Sequence, residues 1–197
     1  MKIQSADIDD AYELAYLINL AGEGIPFYLW SMMAAPGETP IDVGVQRAAR
    51  DEGGFSYKHA RVIKSNGAVL GMIMSYPLDD PYEVEDLESY PAVVRPLVSL
   101  EAKAPGSWYI NAIATFEQHR GKGVATQLLN EAEALALQRG VDNVSLIVAS
   151  ENTSARGLYL RRGYETQASL PVIHYPGCSH GGRWELMIKS LANNSAR

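Results

Sequence analysis

The run "QHRGKGVATQLL", residues 118–129, sets Gly121 and Gly123 two apart among His119, Arg120 and Lys122, and leads straight into apolar spacing of helical period. A glycine turn at the mouth of a helix brings several unpaired backbone N–H groups to one point. The helix dipole adds about half a positive charge there. Glycines let the backbone approach an anion closely, and Arg120 and Lys122 add charge at the rim. The run is not a magnesium-dependent phosphate loop, because no Ser or Thr follows Lys122. It is not a dinucleotide fingerprint either, since no strand–helix half precedes it. Two readings stand on these residues alone: a phosphate-binding turn, or a solvated basic loop before an ordinary helix.

A second stretch, "ENTSARGLYLRRGYE", follows after one helix and one strand. Together the two resemble the GNAT superfamily of acetyl-coenzyme A dependent N-acetyltransferases. The pattern Q/R-x-x-G-x-G/A stands here as Gln118, His119, Arg120, Gly121, Lys122 and Gly123. The pattern N-x-x-A-x-x-L-Y-x-x-x-G-F/Y stands as Asn152, Ala155, Leu158, Tyr159, Gly163 and Tyr164. The likeness is clearest from about Trp108 to Tyr164, and the elements before and after it fit the same order. It implies a mixed α/β fold whose central, mostly antiparallel sheet contains a splayed parallel strand pair flanked by helices.

The resemblance also implies a site. Acetyl-CoA is the expected co-substrate, with Gln118 and His119 leading into a turn where the amides of Arg120, Gly121, Lys122, Gly123, Val124, Ala125 and Thr126 cradle the pyrophosphate. Ile113, Ala114 and Thr115 would offer backbone hydrogen bonds to the pantetheine arm as to an added strand. The amide near Ile113 would steady the oxyanion, and such donors are typically worth about 3 to 4 kcal/mol. Asn152 would hold the arm from the other side, while its type also suits a helix N-cap, or a loop position just before a cap at Thr153 or Ser154. Tyr159 matches the family's general acid: a phenol with an ordinary pKa of about 10 stays protonated at neutral pH and can donate to a thiolate. The alternative for Tyr159 is a core aromatic on a short helix. No general base is assigned, because Glu117 would point to solvent or help cap the helix, and Asn111 cannot accept a proton.

Other groups fit plainer roles. His174, Cys178 and His180 fall within "HYPGCSH", but a structural zinc site needs four ligands and there is no second cluster, so no metal is expected. No family feature asks for Cys178 as a nucleophile, which favours direct transfer in a ternary complex. The acidic run Asp79, Asp80, Glu83, Glu85, Asp86 and Glu88 is either a solvated face or a lure for a cationic amine. "GEGIPFYLWSMM" reads as core, in a region that in this family borders the acceptor cleft.

These side chains must be positioned by an alternation of helices and strands without internal repeats. "DDAYELAYLINL" predicts a first helix that opens the fold, capped by Asp9 or Asp10, with Ala11, Leu14, Ala15, Leu17 and Ile18 inward. "GIPFYLWSMMAA" and "TPIDVGVQRAAR" predict two more helices, separated by "PGE". "FSYKHARVIK" and "AVLGMIMSYPL" predict a hairpin through "SNG". An insertion follows at about 79–106, carrying a short helix in "AVVRPLVSLEAK". Then come a strand in "SWYINAIAT", a helix over 123–139 ending at Gly140, a strand in "NVSLIVA", a helix in "TSARGLYLRR", and strands in "YETQASLPV" and "RWELMIKS".

The whole, residues 1–197, is expected to be a single domain. Hydrophobic residues make up 47% and charged residues 20%, which excludes a disordered chain. The net charge of −6 argues against broad nucleic-acid binding. No apolar run approaches the roughly 18 residues of a membrane span, and the start is too acidic and polar for a secretory signal. With a single cysteine, this places the protein in the cytoplasm. The expected function is transfer of an acetyl group from acetyl-CoA to an amine of a small molecule or peptide, with a homodimer left open as an assembly. Two other classes remain: a non-catalytic acyl-CoA binding or regulatory module of the same fold, and an unrelated phosphate binder.

Overall fold

The computed structural model describes residues 1–84, 86–178 and 180–192, so Glu85 of the acidic run lies outside the described residues. Seven strands are hydrogen-bonded in the order β1-β2-β3-β4-β5-β7-β6. They are β1 (Lys2–Ser5), β2 (Ala60–Ser65), β3 (Ala68–Pro77), β4 (Trp108–Thr115), β5 (Asn143–Ala149), β6 (Glu165–Pro171) and β7 (Arg183–Ser190). The α-helices are α1 (Ala11–Ala21), α2 (Ile25–Ser31), α3 (Pro40–Ala48), α4 (Arg95–Glu101), α5 (Val124–Gln138) and α6 (Thr153–Arg161). The pairing is antiparallel between β1 and β2, β2 and β3, β5 and β7, and β6 and β7, and parallel between β4 and β5. This is the mixed α/β class that the sequence predicts. Contacts divide the chain into two compact units, Met1–Ser75 with Asn111–Ala132, and Tyr76–Ile110 with Glu133 onward.

In the first unit, α1, α2 and α3 pack on the β1–β3 ladder. Leu14, Leu17 and Ile18 of α1 meet Trp30, Val43, Val62, Met72 and Met74 in one buried cluster. The turn between β2 and β3 has Asn66 at φ 50° and Gly67 at φ 82°, the left-handed pair that the "SNG" signal calls for. The fold opens on β1 rather than on a helix. Four residues are too few for a period-2 pattern to stand out, and β1 is held by pairing Lys2–Ser5 with Lys64–Arg61. Asp10 occupies the N-cap position of α1, as expected, but makes no side-chain cap hydrogen bond there; Asp7 caps the preceding 3-10 turn over Ile8–Asp10 in a capping box with Asp10. Asp10 is instead drawn inward by Lys64, 2.5 Å away.

In the second unit, Trp108–Ile110 of β4 lie parallel to Val144–Leu146 of β5, and β7 pairs along the full length of β5. The 79–106 insertion closes on itself. The amide of Gly106 donates to Asp79 O at 3.1 Å, and that of Leu78 to Ser107 O at 2.9 Å. Its helix, α4, starts with Pro96 in the first turn, where the missing N–H costs nothing. Helix α4 packs against β5, β6 and β7. Among the described residues, no helix is long and apolar enough to cross a membrane.

Candidate active site

The end of β4 carries the expected pantetheine residues. Strand periodicity sends Ala112 and Ala114 into the core of the first unit, while Asn111, Ile113 and Thr115 lie half-buried on the opposite face. The hydroxyl of Thr115 is sheltered from solvent without a hydrogen-bond partner among the described residues. The strand end is held firmly. The amide of Phe116 donates to Leu70 O at 3.0 Å, and the Phe116 ring stacks on Tyr16 at 5.4 Å. Leu70 supplies that carbonyl because it is the extra residue of a β-bulge, Ile63 facing Gly71 while Lys64 faces Val69.

The glycine turn follows directly. Gln118 and His119 close a 3-10 turn over Glu117–His119, with the His119 amide bonded to Phe116 O at 2.9 Å and the Arg120 amide to Glu117 O at 3.1 Å. The amide of Arg120 is therefore spent on the turn, and only its exposed guanidinium remains to offer. Of the amides expected to hold an anion, that leaves those of Gly121–Thr126. Gly121 (φ 72°) and Gly123 (φ 78°) both take the left-handed conformation, and open space surrounds the position of a Cβ on each. Among the described residues, nothing lies within 4 Å of either Cβ position. Lys122 also departs from a simple rim charge, since its Nζ donates to Gln118 O at 2.9 Å and braces the loop. The first amide bond into α5 runs from Gln127 to Gly123 O at 3.0 Å, which leaves the amides of Val124, Ala125 and Thr126 outside the helical ladder. Below them Val124, Leu128 and Leu129 are buried, and Arg61 of β2 grips Glu131 at 2.6 Å, so the helix mouth is fixed in direction.

Asn152 and Tyr159 belong to the second unit. Asn152 is itself the N-cap of α6, its Oδ1 accepting from the Ala155 amide at 3.2 Å. The cap is thus at Asn152 and not at Thr153 or Ser154. Tyr159 is buried, and its ring packs on Tyr164 at 5.8 Å with a tilt of 59°. The platform beneath it is polar and tight. Glu133 Oε2 accepts from Lys189 at 2.7 Å and from Arg162 at 3.1 Å, and its Oε1 takes the Tyr164 hydroxyl at 3.4 Å. Burial and then the Glu133 charge push the Tyr164 phenol well above its ordinary value. Arg156 pins α6 to β7 through Glu185 at 2.7 Å. Tyr164 is thus tied to a carboxylate.

A family model for acetyltransferases of the GNAT family matches residues 28–164, from the second helix through the glycine turn to Tyr164. The chain belongs to the GNAT acetyltransferase family. As a member it is an acyltransferase, and solved structures share its fold over nearly the whole length. An N-acetyltransferase from Staphylococcus aureus Mu50 is 20% identical with a TM-score of 0.63, covering 95% of this chain and 100% of that one. The Drosophila melanogaster polyamine N-acetyltransferase that forms N-acetylagmatine is 16% identical with a TM-score of 0.67, covering 96% and 99%. A Salmonella typhimurium protein solved with its cofactor acetyl-CoA is 14% identical with a TM-score of 0.60, covering 97% and 94%. At these identities the likeness is one of fold.

Three features of this acetyltransferase escape a reading of its sequence. Gly71 in β3 faces the end of β4 so closely that a Cβ there would lie 2.7 Å from Ala114 O. Glu101, at the end of α4, turns its carboxylate inward onto two phenols, Tyr109 Oη at 3.1 Å and Tyr82 Oη at 3.0 Å. Tyr82 thereby leaves the acidic run's exposed face, on which Asp79, Asp80, Glu83, Asp86 and Glu88 remain. The third is Cys178, whose thiol donates to His180 O at 2.9 Å. Among the described residues no group of three or more His, Cys, Asp or Glu is placed to hold a metal ion.

Proposed function

We propose that this chain is an N-acetyltransferase that moves the acetyl group of acetyl-CoA directly to an amine. The observation that carries the reading is the turn at Gly121–Gly123: two left-handed glycines, open space around them, and unbonded amides at the mouth of an anchored helix. Acetyl-CoA supplies an activated acyl group as a thioester. For their part, the amides of Gly121–Thr126 and the Arg120 guanidinium would bind its diphosphate without a metal. The backbone of Ile113–Thr115 would align the amide-rich arm. The amide near Ile113 would meet developing negative charge on the acyl oxygen. Asn152 would serve the arm while its Oδ1 keeps the α6 cap. Tyr159 would give its phenolic proton to the departing sulfur and regain it from solvent.

That neighbouring folds include a polyamine N-acetyltransferase supports an amine acceptor. The test is thiol release from acetyl-CoA across a panel of diamines, amino acids, aminoglycosides and N-terminal peptides, with product mass confirming one acetyl group on nitrogen. Tight CoA binding with no acetylated product from any amine would replace the enzyme by a binding module.

A further inference from the structure

The inward face of α1 is that of an ordinary amphipathic helix, and its outward face is not. Leu14, Leu17 and Ile18 fill the core of the first unit, a spacing that normally leaves polar residues outside. Ile8, in the 3-10 turn before the helix, and Tyr12 and Tyr16 stand there instead, 55%, 61% and 50% exposed. Spaced by four, they follow one another along one side. The stripe continues past the helix. The Tyr16 ring lies against Phe116, and Asn19, three residues further on, accepts the amide of Phe27 at 2.9 Å, which brings α2 to the end of the stripe. Phe27 is 46% exposed, although its segment reads from the sequence as core. All of these residues lie in the first unit. Single exposed apolar side chains are common, whereas aromatic ones aligned over consecutive turns mark an interaction surface.

The charge around the stripe selects its partner. From Ile3 to Gln46 the chain carries seven acidic residues and neither Lys nor Arg, so the net charge of −6 originates here, the rest being nearly balanced with 17 basic and 16 acidic residues. Asp10 is taken up by Lys64, and Glu38 and Asp42 by local hydrogen bonds. Asp9 and Glu13 directly follow Ile8 and Tyr12, and no cation among the described residues pairs with them. A second copy docked face to face would set these acids against each other, and the phosphates of a lipid surface or a nucleic acid would be repelled. A basic partner gains twice: its cations meet the carboxylates and the tyrosine faces, and its apolar residues cover the stripe. The face offers side chains and no open strand edge, which suits a helix better than an added strand. We propose that α1 docks a basic amphipathic helix of another protein along Ile8, Tyr12, Tyr16 and Phe27, with Asp9 and Glu13 meeting its cations. The span from Ile8 to Tyr16, about 12 Å at 1.5 Å per residue, matches about two turns of that helix. Docking requires no amine on the partner, so this goes beyond the acetyltransferase reading and does not rest on it.

The test uses the full chain and fluorescein-labelled peptides of about 14 residues with both ends blocked, read by fluorescence anisotropy. The probe places Leu at helical spacing among Arg; one control replaces every Arg by Glu, and the other replaces every Leu by Ser. None carries an amine, so binding stands apart from acetyl transfer. Wild type is expected to bind the Arg/Leu peptide about tenfold or more tightly than either control. Tyr12→Ala and Glu13→Lys should each weaken it by about three- to fivefold, the effect of one exposed cation–π or charge contact, with melting temperature unchanged. Leu137→Ala, at an exposed leucine of α5, should leave binding as it is. If Glu13→Lys does not fold, Asp9→Lys carries the same comparison. Equal binding of the Arg/Ser peptide reduces the surface to plain charge and overturns the proposal, as does an affinity that ignores Tyr12→Ala and Glu13→Lys. Self-association in sedimentation that Tyr12→Ala abolishes would hand the stripe to a second copy, and Tyr12-dependent binding to phosphatidylglycerol vesicles would hand it to a membrane; either result also overturns it.

Discussion

Replacing Gly71 by alanine should damage the coenzyme turn from a distance. Gly71 contributes no side chain to any proposed contact, yet a Cβ there would lie 2.7 Å from Ala114 O, 3.0 Å from Val124 Cγ1 and 3.2 Å from Thr115 Cα. Two of these are backbone atoms and cannot rotate away. Against the 3.4 Å of ordinary contact, the Ala114 carbonyl is about 0.7 Å too close, so either the end of β4 or β3 itself must shift. Overpacking of this kind typically costs about 1 to 3 kcal/mol, and restricting the unfolded chain returns about 0.4 to 1 kcal/mol. A net loss of about 1 to 2 kcal/mol in a chain of this size lowers the melting temperature by about 2 to 8 °C. Function should suffer more than stability. The moved segment runs into Thr115, Phe116 and the glycine turn, and a displacement approaching 1 Å can cost about 10²-fold in catalysis. Thermal unfolding, CoA calorimetry and kcat/KM with the best amine together make the assay. A Gly71→Ala protein with wild-type melting temperature and wild-type CoA affinity would refute the claim that this close approach sets the turn.

Other outcomes follow from the same geometry. Tyr159→Phe keeps the ring against Tyr164, so CoA affinity and stability should hold while kcat falls by about 10² to 10⁴; a loss below about threefold removes Tyr159 from the proton path. Gly123→Asp forces a side chain into a backbone at φ 78° and places a negative charge in the cradle, so CoA binding by calorimetry should vanish in a protein that still folds. Glu133→Ala strands Lys189, whose side chain is 8% exposed, and a denaturant titration should show a loss of about 3 to 5 kcal/mol. For Glu101 the sign follows from burial, which raises its folded pKa. The native state then holds a proton that the unfolded chain has lost, so this group's contribution to stability falls as pH climbs from its ordinary 4.5 through the raised value. In the absence of ligand, melting scans of Glu101→Gln should show its stability relative to wild type growing from pH 4 to 8, and a flat difference would contradict the burial argument.

The amino-acid sequence alone sufficed for whatever depends on neighbours along the chain. The "SNG" hairpin, the proline-started α2, α3 and α4, the end of α5 near Gly140 and the strand over Arg183–Ser190 all follow from local propensity, capping and period. The glycine turn was legible for the same reason, because a strand, two glycines two apart and a helix fix where amides must point. Asn152 as a cap and Tyr159 on a short helix were equally local. Tertiary structure decided what depends on residues far apart in sequence. Strand β1 exists only because β2 offers it an edge, since four residues carry too little pattern to announce themselves. Arg120 keeps its place in the turn but not its free amide, a matter of how the preceding 3-10 turn closes. Gly71 looked like any glycine in a strand until β4 lay against it. Glu101 read as one more charge at a helix end. It became a sheltered carboxylate because the insertion folds back on itself, bringing Tyr82 from 19 residues away and Tyr109 from the neighbouring strand onto its two oxygens. Periodicity reports which face a residue takes, whereas the partner awaiting it there is set by packing between segments that no local pattern encodes.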